Sequence, residues 1–379
     1  MRVLMLVATS VATDTRVLRE AATLVADGHE VHIVGKSVPT DFSPPPGVTV
    51  SSVGTSSVFR AEGAESAGHR RLAPHLRLAR WVLLPQHRNS AFGRWAQGAV
   101  ADARARSFDV VHAHDFTALE AGATLAEHRG VPLVYDSHEL WAGRPRQYRP
   151  TPVQDWRERR VEARLGARAA AVVTVGEGVA DVLRRRYGWS HVVVVRNTFE
   201  AVEGGPPATP TAAVYAGRLA PYRELEVIAQ ASRTSPLPIT LVGPSDPSWL
   251  ARFEPGDTTV RSAVGVAEVT HLLQEAGIAL VTHGDNFDNL RLALPNKAFQ
   301  AVAAGVPVVA TDVGELAALV REHGIGALYA PGDAAGLVRA IESVVADYPR
   351  WCAQVASARS ALGWEVDAQR LREVYHRVA

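Results

Sequence analysis

Apolar positions in this chain fall into short continuous runs separated by longer stretches of helical period. Residues 3–8 form the first run, and their length and lack of polar interruption predict a buried strand. Residues 15–27 follow with Val17, Leu18, Ala21 and Leu24 on one face of a helix that Gly28 ends. Residues 29–35, 48–53, 110–113, 133–136, 171–175 and 192–196 read as further strands, with helices between the later ones. From Asn197 to Thr211 the chain turns Gly/Pro-rich and aperiodic, which predicts a linker. The alternation then restarts. Strands are expected at 212–216, 239–242, 279–282 and 306–310, and helices at 223–232, 266–276 and 334–347. A last amphipathic helix at 366–378 carries Leu371, Val374 and Tyr375 on one side. Repeated strand–helix alternation predicts an α/β fold of parallel sheets with helices on both faces, in two Rossmann-like halves. The expected division is 1–196, a linker at 197–211, 212–362, and a returning tail at 363–379. Ligands of such sheets collect beyond the carboxyl ends of the strands, so two facing sheets would share one cleft.

Composition narrows the class of partner. Among 379 residues, 47% are hydrophobic and 21% charged, and the net charge is +1. That balance gives no global attraction to nucleic acid or to an acidic membrane. Cys352 is the only cysteine, which excludes an internal disulfide and a Cys-rich zinc site and points to a reducing, cytoplasmic compartment. The N-terminal apolar run is short and is followed by Asp14 and Arg16, so a strand is expected there rather than a signal peptide. No run approaches the roughly 18 apolar residues of a membrane span. Residues 69–88 interleave Arg70, Arg71, Arg77, Arg80 and Arg88 with Leu and Trp. They read either as an Arg-rimmed helix on its own domain or as a weak peripheral membrane contact.

The candidate chemistry lies at expected strand exits. Residues 289–305 read as a loop, a helix with Pro295 at its first position, and a glycine stop at Gly305. Lys297 falls in the first turn, where the helix dipole disfavours a cation unless an anion is bound. The chain contains only two lysines, Lys36 and Lys297. Gly217-Arg218-Leu219, with Arg223 after it, places two guanidiniums at the mouth of a sheet, where they read either as a clamp on a diphosphate or as surface arginines of an Arg-rich chain. In His112-Ala113-His114-Asp115, strand alternation is expected to turn only one histidine to a given side. His114, nearer the strand end, is the candidate for a sugar hydroxyl, and His112 is expected in the core. Two histidines two apart are a poor start for zinc, and no metal is expected. Tyr135-Asp136-Ser137-His138-Glu139 reads equally as a site wall or as a helix cap by Asp136 or Ser137. His283, Asp285 and Asn289, in the loop 283–291, are candidates for hydroxyl contacts or part of a plain solvated loop. Residues 9–16 lack the Gly-x-Gly-x-x-Gly of a dinucleotide site, and 175–179 reads as a turn.

Taken in order, these motifs resemble the retaining GT-B glycosyltransferases of the family-4 type over nearly the whole chain. Asp14-Thr15-Arg16 through Ala21, with Gly28-His29-Glu30-Val31, is similar to the family's first helix and second strand. The His112–Asp115 segment, Gly217-Arg218-Leu219 with Arg223, Leu294-Pro295-Asn296-Lys297 with the Ala304–Ala310 run, and Gly363-Trp364-Glu365 resemble its successive signatures. The resemblance implies sugar transfer from a nucleotide diphosphate sugar to a hydroxyl, with retention and without cofactor or metal. The first half would take the acceptor, with Thr13, Asp14, Arg16, Ser137, His138 and Glu139 as candidates. The second would take the donor, with Gly217, His283, Asp285, Asn289, Leu294, Pro295, Asn296, Lys297 and Gln300. His114, Arg218 and Arg223 would be catalytic. The acceptor would be a small molecule, a lipid-linked sugar or a glycan. The family's pair of glutamates eight apart falls here on Leu292 and Gln300. Gln300 would still hydrogen-bond ribose hydroxyls, whereas Leu292 offers no carboxylate. Another GT-B reaction, such as an epimerase or coupling enzyme, and a non-catalytic partner subunit are the competing expectations.

Overall fold

Parallel pairing of short, mostly buried strands organises both halves of the chain. A computed structural model describes residues 1–54, 93–143 and 152–379, so the segment 69–88 lies outside the described residues. The chain divides into two compact units: Met1–Thr174, Ala180–Val194 and Arg370–Ala379 in the first, Val175–Val179 and Val195–Gln369 in the second.

The first unit contains strands β1 (Arg2–Val7), β2 (Glu30–Lys36), β3 (Val48–Val53), β4 (Val110–His114), β5 (Leu133–Ser137), β6 (Ala171–Thr174) and β7 (Val192–Val194). They form one seven-stranded sheet in the order β3-β2-β1-β4-β5-β6-β7. Helices α1 (Thr15–Ala26), α2 (93–104), α3 (Asp115–Arg129), α4 (Pro152–Gly166) and α5 (Glu177–Tyr187) connect the strands. Asp14 starts α1 by accepting from the Val17 N–H at 3.2 Å, as an N-cap acid does. Strand order reverses between β1 and β4, so the loops leaving those two strands flank the topological switch point.

The second unit has strands β8 (Ala212–Ala216), β9 (Ile239–Val242), β10 (Thr259–Arg261), β11 (Gly277–Val281), β12 (Val308–Thr311) and β13 (Gly326–Tyr329), in the order β10-β9-β8-β11-β12-β13. Its helices are α6 (Leu225–Ala231), α7 (Pro247–Leu250), α8 (Val266–Ala276), α9 (Asp288–Arg291), α10 (Asn296–Ala304), α11 (Gly314–His323), α12 (Ala334–Ala346) and α13 (Tyr348–Ala358). Here the switch point lies between β8 and β11. The loops 217–224 and 282–287 leave those strands beside it, and α10 opens after the second of them. The final helix, α14 (Trp364–Val378), begins in the second unit, and its last turns belong to the first. Leu371, Val374 and Tyr375 are fully buried there, as its periodicity predicts.

Some expectations are corrected. Pro295 is the N-cap of α10, with extended backbone, and Asn296 is the first helical residue. Gly305 does end the helix in the left-handed region at φ 80°. Strand β10 is exposed at all three residues, which is why no apolar run announced it. The segment 197–211 is not a free tether but part of the second unit. Val202 N–H donates to Ala303 O at 3.2 Å and Thr211 N–H to Ala276 O at 2.8 Å. Buried Asp367 fastens its start, accepting from Arg196 N–H at 3.0 Å, from the Arg196 guanidinium and from Thr198 Oγ1 at 2.9 Å.

Candidate functional site

In the second unit the site is built on Tyr215, a fully buried residue near the end of β8. Its hydroxyl donates to Arg218 O at 3.2 Å and accepts from Lys297 Nζ, also at 3.2 Å. The Lys297 ammonium lies over the same ring, 4.4 Å from its centroid. Gly217 leaves room for it, since a Cβ there would meet Nζ at 3.1 Å. Burial, reinforced by the charge of Arg223, pushes the Lys297 amine down to about 7. The first turn of α10 contains no acid. Among the described residues, Lys297, Arg218 and Arg223 form no ion pair.

Arg223 is half-buried and held through its own backbone. Thr282 Oγ1 donates to Arg223 O at 2.7 Å, Gly284 N–H donates to Tyr222 O at 3.1 Å, and Gly332 N–H donates to the Glu224 carboxylate at 2.6 Å. Tyr222 and Glu224, on either side of Arg223, are both left-handed, at φ 66° and 59°. Such backbone costs about 1–3 kcal/mol per residue and persists only where surrounding bonds fix it. His283 is buried and its imidazole is pushed down to about 4, by burial first, with Lys297 and Arg223 adding to it. It is therefore neutral at pH 7. Its Nδ1 lies 3.1 Å from Gly284 O, and its Nε2 is buried without a partner.

The structure thus brings together Gly217, Arg223, His283 and Lys297. It does not bring the Arg218 guanidinium to them: that side chain is exposed, and its charge reaches Asp246 instead. The two-arginine clamp is therefore corrected to an Arg223–Lys297 pair. Asp285 is on the surface in an ion pair with Arg291 at 2.5 Å. Asn289 is buried in α9, Leu294 packs on Gly176, and Asn296 accepts from Asn197 at 2.8 Å. The Gln300 amide expected for ribose donates instead to Val266 O at 3.0 Å and Thr270 Oγ1 at 3.1 Å. Leu292 is the C-cap of α9. Sequence reasoning missed Tyr215 and Thr282, since an aromatic or threonine in an apolar strand run reads as core.

The first unit holds a second polar cluster at its own switch point. Arg16 is buried, donating to both Asp136 oxygens at 2.8 and 2.9 Å and pairing with Glu20 at 3.0 Å. That corrects its expected acceptor role, since its fork is fully committed to the interior. His112 and His114 share one face, with rings stacked at 4.2 Å, because residues two apart in a strand point the same way. His114 is buried, with Nδ1 3.2 Å from His138 Nε2 and 3.3 Å from Asp136. His112 lies in the core as expected, 3.0 Å from the Tyr375 hydroxyl. Burial would raise Asp136, but Arg16 and His138 outweigh it and hold the carboxyl well below its usual range. Burial pushes Glu20 up to about 7, and Asp115 with Asp136 lifts His138 to about 10 against its own burial.

Glu20, His112, His114 and Asp136 offer ligand atoms within 4.8 Å of one another. The Arg16 guanidinium already supplies the positive charge both carboxylates need, so the donor set suits an internal ion network better than a metal. Asp136 and Ser137 are both buried, Asp136 accepting from Arg16 and Ser137 Oγ donating to Glu139 O at 2.9 Å. Thr13 is exposed, Asp14 caps α1, and His138 and Glu139 are partly exposed.

Comparison with known proteins places the chain. The Glycosyltransferase Family 4 description matches residues 13–201, and Glycosyl transferases group 1 matches residues 210–347. The chain belongs to the group 1 glycosyltransferases, and its two-sheet architecture is GT-B. It is 26% identical over 290 residues to glycogen synthase of Mycobacterium tuberculosis, covering 70% of this chain and 68% of that one. It is 24% identical over 327 residues to D-inositol 3-phosphate glycosyltransferase of Streptomyces scabiei, covering 75% and 71%. Among solved structures it is similar to sucrose-phosphate synthase of Thermosynechococcus elongatus, with TM-score 0.73, 18% identity and coverage of 100% and 99%. HepE of Anabaena in complex with UDP-glucose gives TM-score 0.68, 16% identity and 99% coverage of both chains.

Proposed function

We propose that this glycosyltransferase moves a sugar from a nucleotide diphosphate sugar to an acceptor hydroxyl, with retention at the anomeric carbon and without a metal. The observation that carries the proposal is the Lys297–Arg223 pair: two basic groups beside a switch point and a helix N-terminus, with no carboxylate of their own. A diphosphate supplies the missing negative charge. As the glycosidic bond breaks, charge grows on that diphosphate, and fixed donors in a water-poor site stabilise it without reorganising. The complex of HepE with UDP-glucose supports a nucleotide sugar of this kind as donor. The acceptor is assigned to the exits of β1 and β5, where Thr13, Asp14, His138 and Glu139 remain accessible. No helix among the described residues is long and apolar enough to cross a membrane. With its lone Cys352 a free thiol, a cytoplasmic location is part of the proposal.

The test is titration of UDP, GDP and dTDP against wild type and against the Arg223→Ala/Lys297→Met double variant, followed by turnover with the matching sugar donors. The expected result is binding of one diphosphate by wild type, with turnover about 10²–10³ lower for each site cation removed. Unchanged donor turnover in the double variant defeats the assignment. Anomeric analysis of the product and turnover in EDTA decide retention and metal independence. Leu292 and the tied amide of Gln300 favour one second reading, a GT-B subunit that binds nucleotide without chemistry. Binding without turnover across the donor panel would establish it.

A further inference from the structure

Of the two lysines of the chain, only Lys297 lies at the site. Tyr215 touches it in two ways, by ring face at 4.4 Å and by hydroxyl at 3.2 Å. The same hydroxyl donates to the Arg218 carbonyl, so its oxygen lone pairs face the amine. The other titratable groups around Lys297 are Arg223, in the loop before α6, and His283, in the loop after β11. None of these neighbours is an acid. Among the described residues, such an ammonium is held by an aromatic face and one hydroxyl.

We propose, resting on the donor-site reading above, that Tyr215 is the positioning residue of the anion site: it holds the Lys297 amine ready, and the arriving diphosphate completes its protonation. Free protein near pH 7 then has the amine divided between its two forms, in keeping with the lowering that burial and Arg223 impose. A diphosphate favours the ammonium, so binding takes up part of a proton. The balance is simple: R–NH₂ gains H⁺ from buffer, and the ammonium pairs with a phosphate oxygen, with no covalent change. Donor affinity weakens as pH rises through the titration of the free amine.

Lysine labelled with ¹³C at the ε-carbon gives two signals in this protein, so each amine can be titrated directly. In wild type, the Lys297 signal is expected to titrate near neutrality. Tyr215→Phe keeps the ring and removes the acceptor, so the Lys297 signal should titrate at lower pH. Tyr215→Leu, which also removes the ring face, should lower it further. Saturating UDP should raise the wild-type value, and calorimetry in buffers of different ionisation enthalpy should read the proton uptake. In turnover, Tyr215→Phe should raise the donor KM several-fold. Circular dichroism checks that both variants fold, and Lys297→Met assigns the signal. An Lys297 titration unmoved in folded Tyr215→Phe overturns the proposal. A titration moved by Tyr215→Phe but unmoved by UDP, GDP or dTDP leaves the Tyr215–Lys297 coupling standing and sinks the donor-site reading instead.

Discussion

Arg16 and Asp136, 120 residues apart in sequence, are joined by two hydrogen bonds of 2.8 and 2.9 Å inside the first unit. Both side chains are excluded from solvent. Fork-to-carboxylate geometry of this kind fixes direction as well as charge. It ties the start of α1 to the end of β5 across the switch point of the sheet.

Removing one partner leaves an uncompensated charge in the interior. Asp136→Ala should destabilise the protein by about 3–5 kcal/mol, measured by urea denaturation. The double variant Arg16→Met/Asp136→Leu should cost clearly less than the sum of the single changes, because no unpaired ion remains. Additive losses would show that the pair is not energetically coupled.

Glu20 makes the pH dependence specific. Its folded value, about 7, lies above the ordinary 4.5, so the folded protein holds this proton more tightly than the unfolded chain. Stability from this group is therefore present below pH 4.5 and is lost as pH rises through 7. Glu20→Gln should remove that slope and raise stability at pH 8 by roughly 1–3 kcal/mol. Urea midpoints at pH 5.5 and 8 check it. Greater harm from the substitution at pH 8 than at pH 5.5 would refute it.

Gly243 holds the loop after β8 in register. A Cβ there would overlap the Gly217 carbonyl, and the backbone is left-handed at φ 151°. Neighbouring bonds from Gly217 N–H to Val242 O at 2.8 Å and from Leu219 N–H to Pro244 O at 2.9 Å leave the loop no room to withdraw. Gly243→Ala should cost about 2–3 kcal/mol of stability and weaken nucleotide binding together with it. Thermal unfolding with and without UDP tests both, and a variant equal to wild type in each would count against this packing.

Asp367 joins α14 to the entry of the second unit through Arg196 and Thr198. Asp367→Ala should destabilise by about 3–5 kcal/mol, since it strands the Arg196 guanidinium. Hydrogen exchange should show lost protection at Arg196, whose N–H donates to this carboxylate, while β12 keeps its protection. Unchanged exchange at Arg196 would mean that the network is not structural.

Much of this site was legible one element at a time. Lys297 stood out because it places a cation in a helical first turn without an acid, and Gly217 and Arg223 because they leave a strand at its carboxyl end. The misreadings came where side chains meet. The two histidines of β4 share a face, which strand periodicity dictates. Arg218 departs from Arg223 because the loop between them is set by bonds from Thr282, Gly284 and Gly332, which lie in other loops. Gln300 turns to α8 because the Val266 carbonyl and Thr270 hydroxyl lie within reach of its amide.

By itself the sequence determined the alternation of buried strands and amphipathic helices, the parallel class of both sheets, and the chain positions of the basic residues. Those follow from local period, apolar runs and turn residues, which are properties of neighbouring positions. Only the tertiary structure decided which groups became partners. Arg16 finds Asp136 across 120 residues and Lys297 finds Tyr215 across 82. Their energies depend on burial and on distances of a few ångströms, which strand order and helix packing set and no local pattern encodes.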